Sequence, residues 1–455
     1  MLKKNQEIEL TITALGSDLE GIGHYEGQTI FVQGALPNET IIAHILKTNA
    51  RYAFAKIVKI LKPSKKRQEP LCTYYSSCGG CHGQHMTYNA TLEGKTQQVK
   101  DCLQRIGGLS LENVNVHNII GSNSPLHFRN KTALPIRGTW QNPQIGFFKK
   151  RSHSLVDIKD CPITMGDIEG LLIAMRSYIT KYRVMPYNEV THKGILRHVI
   201  MRNNRLGQAM IILVTTIAQL PSTNELIELL KENVKGFSSL HISVNREKNN
   251  VILGRNSKHL YGETVLVENL DKLSFDIAPL SFFQVNPDQT EKLYQSAINF
   301  ANLQPNDIVV DAYAGAGTIA LYMAQKATKV IGIEIVPQAV DSAIKNAEKN
   351  QVKNVEFYCE PVESKLPKLV KEGLRPHVVM LDPPRKGVDP PVIEAVLTAK
   401  PRTIVYVSCH VPTQARDVKA LVEGGYKLTQ VQPVDMFCYT SGIENIVCLE
   451  REDFC

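Results

Sequence analysis

Asp307-Ile-Val-Val-Asp311-Ala-Tyr313-Ala-Gly315-Ala-Gly317-Thr318 is the stretch on which the fold turns. A short β-branched run passes through an acid into closely spaced glycines and then into a helix-like segment. Glycine lacks a Cβ, so the backbone at such a turn can approach a ligand closely. Strand, glycine turn and helix together form the first unit of a doubly wound sheet, which binds ligands at the carboxyl ends of its strands. Lys329-Val-Ile-Gly-Ile-Glu334 reads as the second strand. It ends in an acid about twenty residues past the turn, where a carboxylate can accept hydrogen bonds from ribose hydroxyls. The turn and the acid leave both NAD and S-adenosylmethionine open.

From Leu303 to the end, strand and helix patterns alternate, which predicts βαβ units and a mainly parallel sheet. Val378-Val-Met-Leu-Asp382-Pro383-Pro384-Arg385-Lys386-Gly387 closes a fourth strand. Acid-Pro-Pro at this place is not something dehydrogenases require, and it resembles methyltransferases acting on bases or amines. The next strand, Thr403-Ile-Val-Tyr-Val-Ser408-Cys409-His410, stops at a cysteine. A cysteine in that position is ordinarily a small buried hydrophobe. Asp435-Met436-Phe437-Cys438-Tyr-Thr440-Ser-Gly-Ile-Glu444 brings a carboxylate just before the last strand, Asn445–Leu449. The pair suits one demanding reaction. C5 of uracil is a poor nucleophile, so a thiolate must first add to C6, and a base must later remove the C5 proton. Cys102, Cys359, Cys438, Cys448 and Cys455 have no such context and are expected to be buried or incidental thiols.

Toward the amino terminus the pattern changes. Ile8–Ile12, Thr29–Val32 and Thr40–Leu46 alternate apolar and polar residues with glycines between them, as in a small β-barrel. The stretch up to Leu61 resembles the TRAM domain, an OB-like RNA-binding module. Lys62-Pro-Ser-Lys65-Lys66-Arg67 leads out as a basic linker. Cys72, Cys78 and Cys81 then sit in one tight loop, and Cys161, followed by Pro162, is the best fourth ligand. Four thiolates suit either a [4Fe-4S] cluster or tetrahedral zinc, and spacing does not choose between them. His82 and His85 read as structural or RNA-facing. Phe128–Ile136 and Gln144–Arg151 set basic residues among strands and aromatics, a mixture that suits RNA and equally a solvated sheet face.

Composition is that of a globular chain, 43% hydrophobic and 21% charged, so neither disorder nor a shortage of core is expected. With 455 residues, at roughly 150 per domain, about three domains are expected. They are placed at 1–62 (RNA-binding barrel), 63–270 (α+β central domain with the cysteine site) and 271–455 (Rossmann-like domain). The net charge of +8 fits a polyanionic partner without requiring one. No leader-like start and no apolar run long enough to span a bilayer are present, so a cytoplasmic protein without a membrane partner is expected. In a reducing compartment the ten cysteines are metal ligands, nucleophiles or buried thiols before they are disulfides.

Taken together, these motifs resemble the RNA uracil-C5 methyltransferases of the RumA class, in particular members acting on large-subunit ribosomal RNA. The resemblance spans the whole chain. It implies a class I fold that uses S-adenosylmethionine, with Gln284 (in Ser281-Phe-Phe-Gln284-Val-Asn286), Tyr313, Glu334 and Asp382 at the methyl donor. It further implies Cys409 as nucleophile, Glu444 as base and Cys72, Cys78, Cys81 and Cys161 as [4Fe-4S] ligands, favouring iron over zinc. The implied product is 5-methyluridine in 23S rRNA, made by a monomer. The same reaction on tRNA, a base-nitrogen methyltransferase and a non-catalytic iron-sulfur RNA-binding protein are the alternatives. Two departures stand out: Cys409-His410-Val411 replaces the family's Cys-Asn-Pro, and Cys438-Tyr439 replaces Pro-His. The second is expected to touch base contacts or site choice.

Overall fold

Ile308–Ala312, Lys329–Glu334, Val355–Cys359, Val378–Leu381 and Thr403–Ser408 all become parallel strands in the computed structural model, which describes residues 2–452. Cys455 lies outside the described residues. Among those residues, eight strands form the sheet, in the order 355–359, 329–334, 308–312, 378–381, 403–408, 444–451, 426–434 and 115–116. Glu444–Arg451 runs antiparallel to both of its neighbours. The order reverses at Ile308–Ala312, so a crevice opens at the carboxyl ends of that strand and of Val378–Leu381.

Side chains alternate between the sheet's two faces with a period of two. Val309, Val330, Val378 and Val405 pack against helices Pro287–Ala301 and Thr318–Ala324. Val310, Ile331, Val379 and Ile404 pack against Val362–Lys371, Pro390–Ala399 and Val411–Glu423. Helix Tyr88–Arg105 joins the second face through Val99 and Leu103, and Asn115–Val116 forms the sheet's edge. Residues 88–116, taken from sequence as part of the central domain, therefore pack with the Rossmann-like body.

The central sheet has seven strands, ordered 257–262, 237–244, 209–215, 196–203, 131–138, 143–148 and 155–157. Leu196–Asn203 and Ala209–Thr215 pair as a hairpin and are buried on both faces. One face carries helices Ile168–Lys181 and Thr223–Asn233. The other, through Ile200, Met210, Ile212 and Val214, shares a core with helix Pro287–Ala301. Hairpin Leu266–Leu270/Leu273–Ile277 enters the same core, so position 270 falls at its turn.

The amino-terminal strands 7–15, 21–25, 28–33, 52–62 and 40–48 close into a barrel in that order. Leu19 and Leu36 of the barrel pack with Met86 and Ala90. Glu39, fully buried, accepts from Arg67 Nε at 2.6 Å and from the Leu36 backbone N–H at 2.9 Å. These contacts clamp the barrel to the body. No helix of the described residues is long and apolar enough to cross a membrane.

Candidate active site

Strand Thr403–Ser408 delivers Cys409 to the crevice and helix Val411–Glu423 starts directly after it, so the thiol sits on a sharp strand-to-helix turn. The Ser408 hydroxyl accepts from the His410 N–H at 3.0 Å and fixes that turn. Antiparallel pairing sets Ser408 opposite Asn445. One step beyond that pair, Cys409 and Glu444 stand across from each other. Fully buried Gln414 donates to the carbonyls of Tyr406 (2.8 Å) and Asn445 (3.0 Å) and accepts from the Asn445 side chain at 2.7 Å. The two strand ends are thereby held in register.

A cavity of about 1140 Å³ occupies the crevice. Gln284, Tyr313, Glu334, Asp382, Cys409 and Glu444 all line it, so the structure gathers all six residues expected there. At the glycine turn Tyr313 (φ 70°), Gly315 (φ 55°) and Gly317 (φ 79°) adopt left-handed backbone. A Cβ on Gly315 would meet no atom within 4 Å, whereas one on Gly317 would press on Ala343 and Phe357 at 2.9 Å. The turn is thus open on its ligand side and packed on its helix side. Glu334 accepts backbone N–H bonds from Gly315 (3.0 Å) and Val336 (2.8 Å). The Tyr313 hydroxyl is buried without a hydrogen-bond partner, as is the Asp311 carboxylate.

Electrostatics reflect three carboxyls facing one cavity: Asp311, Asp382 and Glu444. Burial pushes Asp382 up to about 7. Burial, then Asp382, holds Asp311 well above the carboxylate range. Glu444, 3% exposed, is raised by burial and then by Asp382, against a downward pull from Arg385. Burial and then Glu444 raise the Cys409 thiol, while a hydrogen bond and the charge of Arg385 lower it. Arg385 favours the charged form of both reacting groups.

The loop ahead of Glu444 is anchored from below. Asp435 and Lys95 are both fully buried, with Lys95 Nζ 2.5 Å from Asp435 Oδ1 and 3.0 Å from the Phe437 carbonyl. The Tyr88 hydroxyl donates to Asp435 Oδ2 at 2.6 Å. The Tyr439 carbonyl accepts from the His82 and Gly83 N–H groups, each at 2.9 Å. Cys438 and Tyr439 belong to the central core and neither lines the cavity. His410 also faces away: its Nδ1 lies 3.0 Å from Thr413 Oγ1, which donates to the Arg385 carbonyl at 3.1 Å.

Cys72, Cys78, Cys81 and Cys161 line a separate pocket of about 210 Å³. Among the described residues, no group of three or more His, Cys, Asp or Glu side chains is placed to hold a single metal ion. The four thiols border that void together with Tyr75 and Arg129. Burial, reinforced by Cys161, pushes Cys81 up to about 12. His85 is structural, its Nδ1 2.6 Å from the Tyr75 hydroxyl.

A family model described as tRNA (Uracil-5-)-methyltransferase matches residues 87–452, and a TRAM domain model matches residues 2–58. The chain belongs to the RNA uracil-5-methyltransferase family. This uracil-5-methyltransferase is 43% identical over 449 residues to an uncharacterized RNA methyltransferase of Clostridium tetani, covering 98% of this chain and 97% of the relative. It is 40% identical over 453 residues to one of Clostridium acetobutylicum, covering 99% and 98%. Among solved structures it matches the Pyrococcus abyssi tRNA (uracil-54, C5)-methyltransferase in complex with S-adenosyl-L-homocysteine. The TM-score is 0.77 at 27% identity, over 97% of this chain and 100% of that one. The enzyme uses S-adenosylmethionine, and its open glycine turn and partnerless buried polar groups fit that ligand.

Three residues at this methyltransferase's cavity escaped the sequence reading. Asp311 reads in the sequence only as the end of a strand, although an acid before a glycine turn is a ligand-facing position. Arg385 carries no signal of its own in the sequence beside Asp382-Pro383-Pro384. Phe282, 73% exposed at the cavity's edge, was seen only as a neighbour of Gln284.

Proposed function

We propose that this enzyme methylates C5 of uridine in 23S ribosomal RNA, with Cys409 as nucleophile and Glu444 as base. The observation that carries this reading is the strand register that sets those two side chains opposite each other in one cavity with Asp382. A uridine extruded from folded RNA enters past Phe282, whose exposed ring offers a stacking face. The Cys409 thiolate, favoured by Arg385, adds to C6 and moves the C5–C6 electron pair onto C5 and the O4 carbonyl. Bound S-adenosylmethionine supplies an electrophilic methyl group that C5 can take. The Glu444 carboxylate then accepts the C5 proton, the C6–S bond breaks, and 5-methyluridine and the free thiolate are released. Gln284, Tyr313, Glu334, Asp382 and Asp311 would hold the methyl donor.

Cys72, Cys78, Cys81 and Cys161 would hold a [4Fe-4S] cluster, whose cationic iron would relieve the mutual repulsion of four neighbouring thiolates. No step of the reaction passes through it. The choice of ribosomal RNA follows from resemblance to members acting there. The Pyrococcus abyssi protein acts on tRNA and aligns with 97% of this chain, so having the whole architecture does not separate the two RNAs. That alignment makes tRNA the second reading.

The test incubates the enzyme and S-adenosylmethionine with 5-fluorouridine-substituted 23S fragments and tRNA, because fluorine blocks the last proton removal. A denaturation-resistant adduct on the ribosomal fragment is expected, absent in Cys409→Ala. Methylation by Cys409→Ala would overturn the mechanism, and trapping of tRNA alone would overturn the substrate. Iron and sulfide analysis of anaerobically purified enzyme tests the cluster.

A further inference from the structure

Arg385 and Lys386 are exposed, yet both line the catalytic cavity and the Arg385 side chain hydrogen-bonds the Cys409 thiol. Ordering a long exposed side chain costs conformational entropy, and a loose backbone beneath it would add to that cost. Helix Val411–Glu423 fixes the backbone. Its Thr413, Arg416 and Asp417 are spaced i, i+3 and i+4 and share one face. Thr413 Oγ1 lies 3.1 Å from the Arg385 carbonyl, Arg416 Nη2 donates to the Lys386 carbonyl at 3.0 Å, and Asp417 Oδ2 accepts from the Val388 N–H at 2.8 Å. A side chain at Gly387 (φ 83°) would strike Asp417, so the loop lies directly on the helix. Asp417 is itself held by the buried Tyr406 hydroxyl at 2.8 Å and by Arg416 Nε at 2.8 Å. Thr413 leans instead on His410, the residue directly after the thiol, whose Nδ1 is 3.0 Å from Oγ1.

The Thr413 hydroxyl has one proton to give and three neighbours that could take it: His410 Nδ1, the Arg385 carbonyl and, at 3.0 Å, the His410 carbonyl. The last already accepts from the Gln414 N–H at 3.2 Å and the Ser408 hydroxyl at 3.3 Å. The choice is therefore between Nδ1 and Arg385. An imidazole carrying its proton on Nδ1 donates to Oγ1 and leaves the hydroxyl proton to the Arg385 carbonyl. An imidazole carrying it on Nε2 takes the hydroxyl proton and frees the loop. In an Asn side chain the amide nitrogen is likewise bonded to Cγ, so either residue at position 410 can present a donor to this hydroxyl.

We propose that His410 and Thr413 are positioning residues: the His410 Nδ1–H donates to Thr413 Oγ1, whose own proton pins the Arg385 carbonyl and so keeps the guanidinium on Cys409. The inference rests on the reading that Cys409 is the nucleophile and names the strut that prepares it. The test follows alkylation of Cys409 against pH in the full chain, by site-resolved mass spectrometry, and needs no turnover. Thr413→Val removes the hydroxyl and should raise the midpoint, slowing alkylation at pH 8 several-fold, in the same direction as Arg385→Met. Thr413→Ser should restore the wild-type midpoint. Combining Thr413→Val with Arg385→Met should shift it no further than Arg385→Met alone, because the strut acts through that side chain. His410→Phe should match Thr413→Val, and His410→Asn should stay near wild type. Nitrogen-15 NMR of histidine-labelled protein, with His410 assigned by its loss in His410→Asn, should find the proton on Nδ1. A cooperative unfolding transition checks the fold, and the NMR measurement on wild type decides the matter if Thr413→Val unfolds. A wild-type midpoint in Thr413→Val, additive shifts in the double variant, or a proton on Nε2 would overturn the proposal. If Arg385→Met shifts the midpoint and Thr413→Val does not, the strut fails and the reading of Cys409 stands. If Cys409→Ala still methylates RNA, that reading fails, while a shift in Thr413→Val keeps the strut.

Discussion

The side-chain amide of Asn445 donates to Gln414 Oε1 at 2.7 Å, both residues being fully buried. That bond ties the start of the strand carrying Glu444 to the helix that follows Cys409. Gln414→Leu should leave the Asn445 amide and two carbonyls short of partners, costing about 3–9 kcal/mol at about 1–3 kcal/mol per buried group. Calorimetric unfolding measures the loss. Turnover should fall while the Kd for S-adenosylhomocysteine holds, because the methyl donor's wall is built from other strands.

Lys95 and Asp435 form a second buried device. Lys95→Met strands a carboxylate in the core and should cost about 3–5 kcal/mol. Adding Asp435→Leu should recover much of that stability, since neither charge is then left alone. Chemical denaturation of the single and double variants measures the difference, and equal destabilisation in both would contradict it.

Arg385 should control how readily Cys409 ionises. Burial and Glu444 already raise the thiol, and Arg385 opposes them. Arg385→Met should therefore move the midpoint of Cys409 alkylation to higher pH. At pH 8, below that midpoint, alkylation should slow several-fold. Site-resolved mass spectrometry separates Cys409 from exposed Cys359.

Asp382 links stability to pH. Its folded pKa of about 7 lies above the ordinary carboxylate value, so the folded state favours the protonated form. That stabilisation is complete below about pH 4 and is lost as pH rises through about 7. Asp311 and Glu444, also raised, act in the same direction. Asp382→Asn should flatten the fall in unfolding temperature between those limits and raise it at pH 8 in ligand-free protein. Thermal scans across that range test the sign.

The cavity was legible in the sequence to the extent that chemistry sits at strand ends. Glu334, Asp382 and Cys409 each follow an apolar run whose length and composition mark a strand. Glu444 is different, because its position opposite Cys409 depends on the antiparallel register between 403–408 and 444–451, which no local pattern encodes. Gln414 was illegible for the same reason. Asn115–Val116 is too short to show any periodicity, and helix Tyr88–Arg105 carries an amphipathic pattern that does not say which sheet it will cover. Tyr439 reads as a change near the base, yet its carbonyl and ring serve the cysteine loop and Tyr88.

The core that Ile200, Met210 and Ile212 share with Leu266, Phe275 and Leu293 makes the central sheet and the methyltransferase sheet inseparable as folding units. A chain cut at position 270 would split the hairpin and uncover that apolar surface on both pieces, so neither half should survive as a soluble module. Substrate recognition and methyl transfer are then built on one cooperative body, and partners for this enzyme's chemistry have to be exchanged by remodelling loops and not by trading domains.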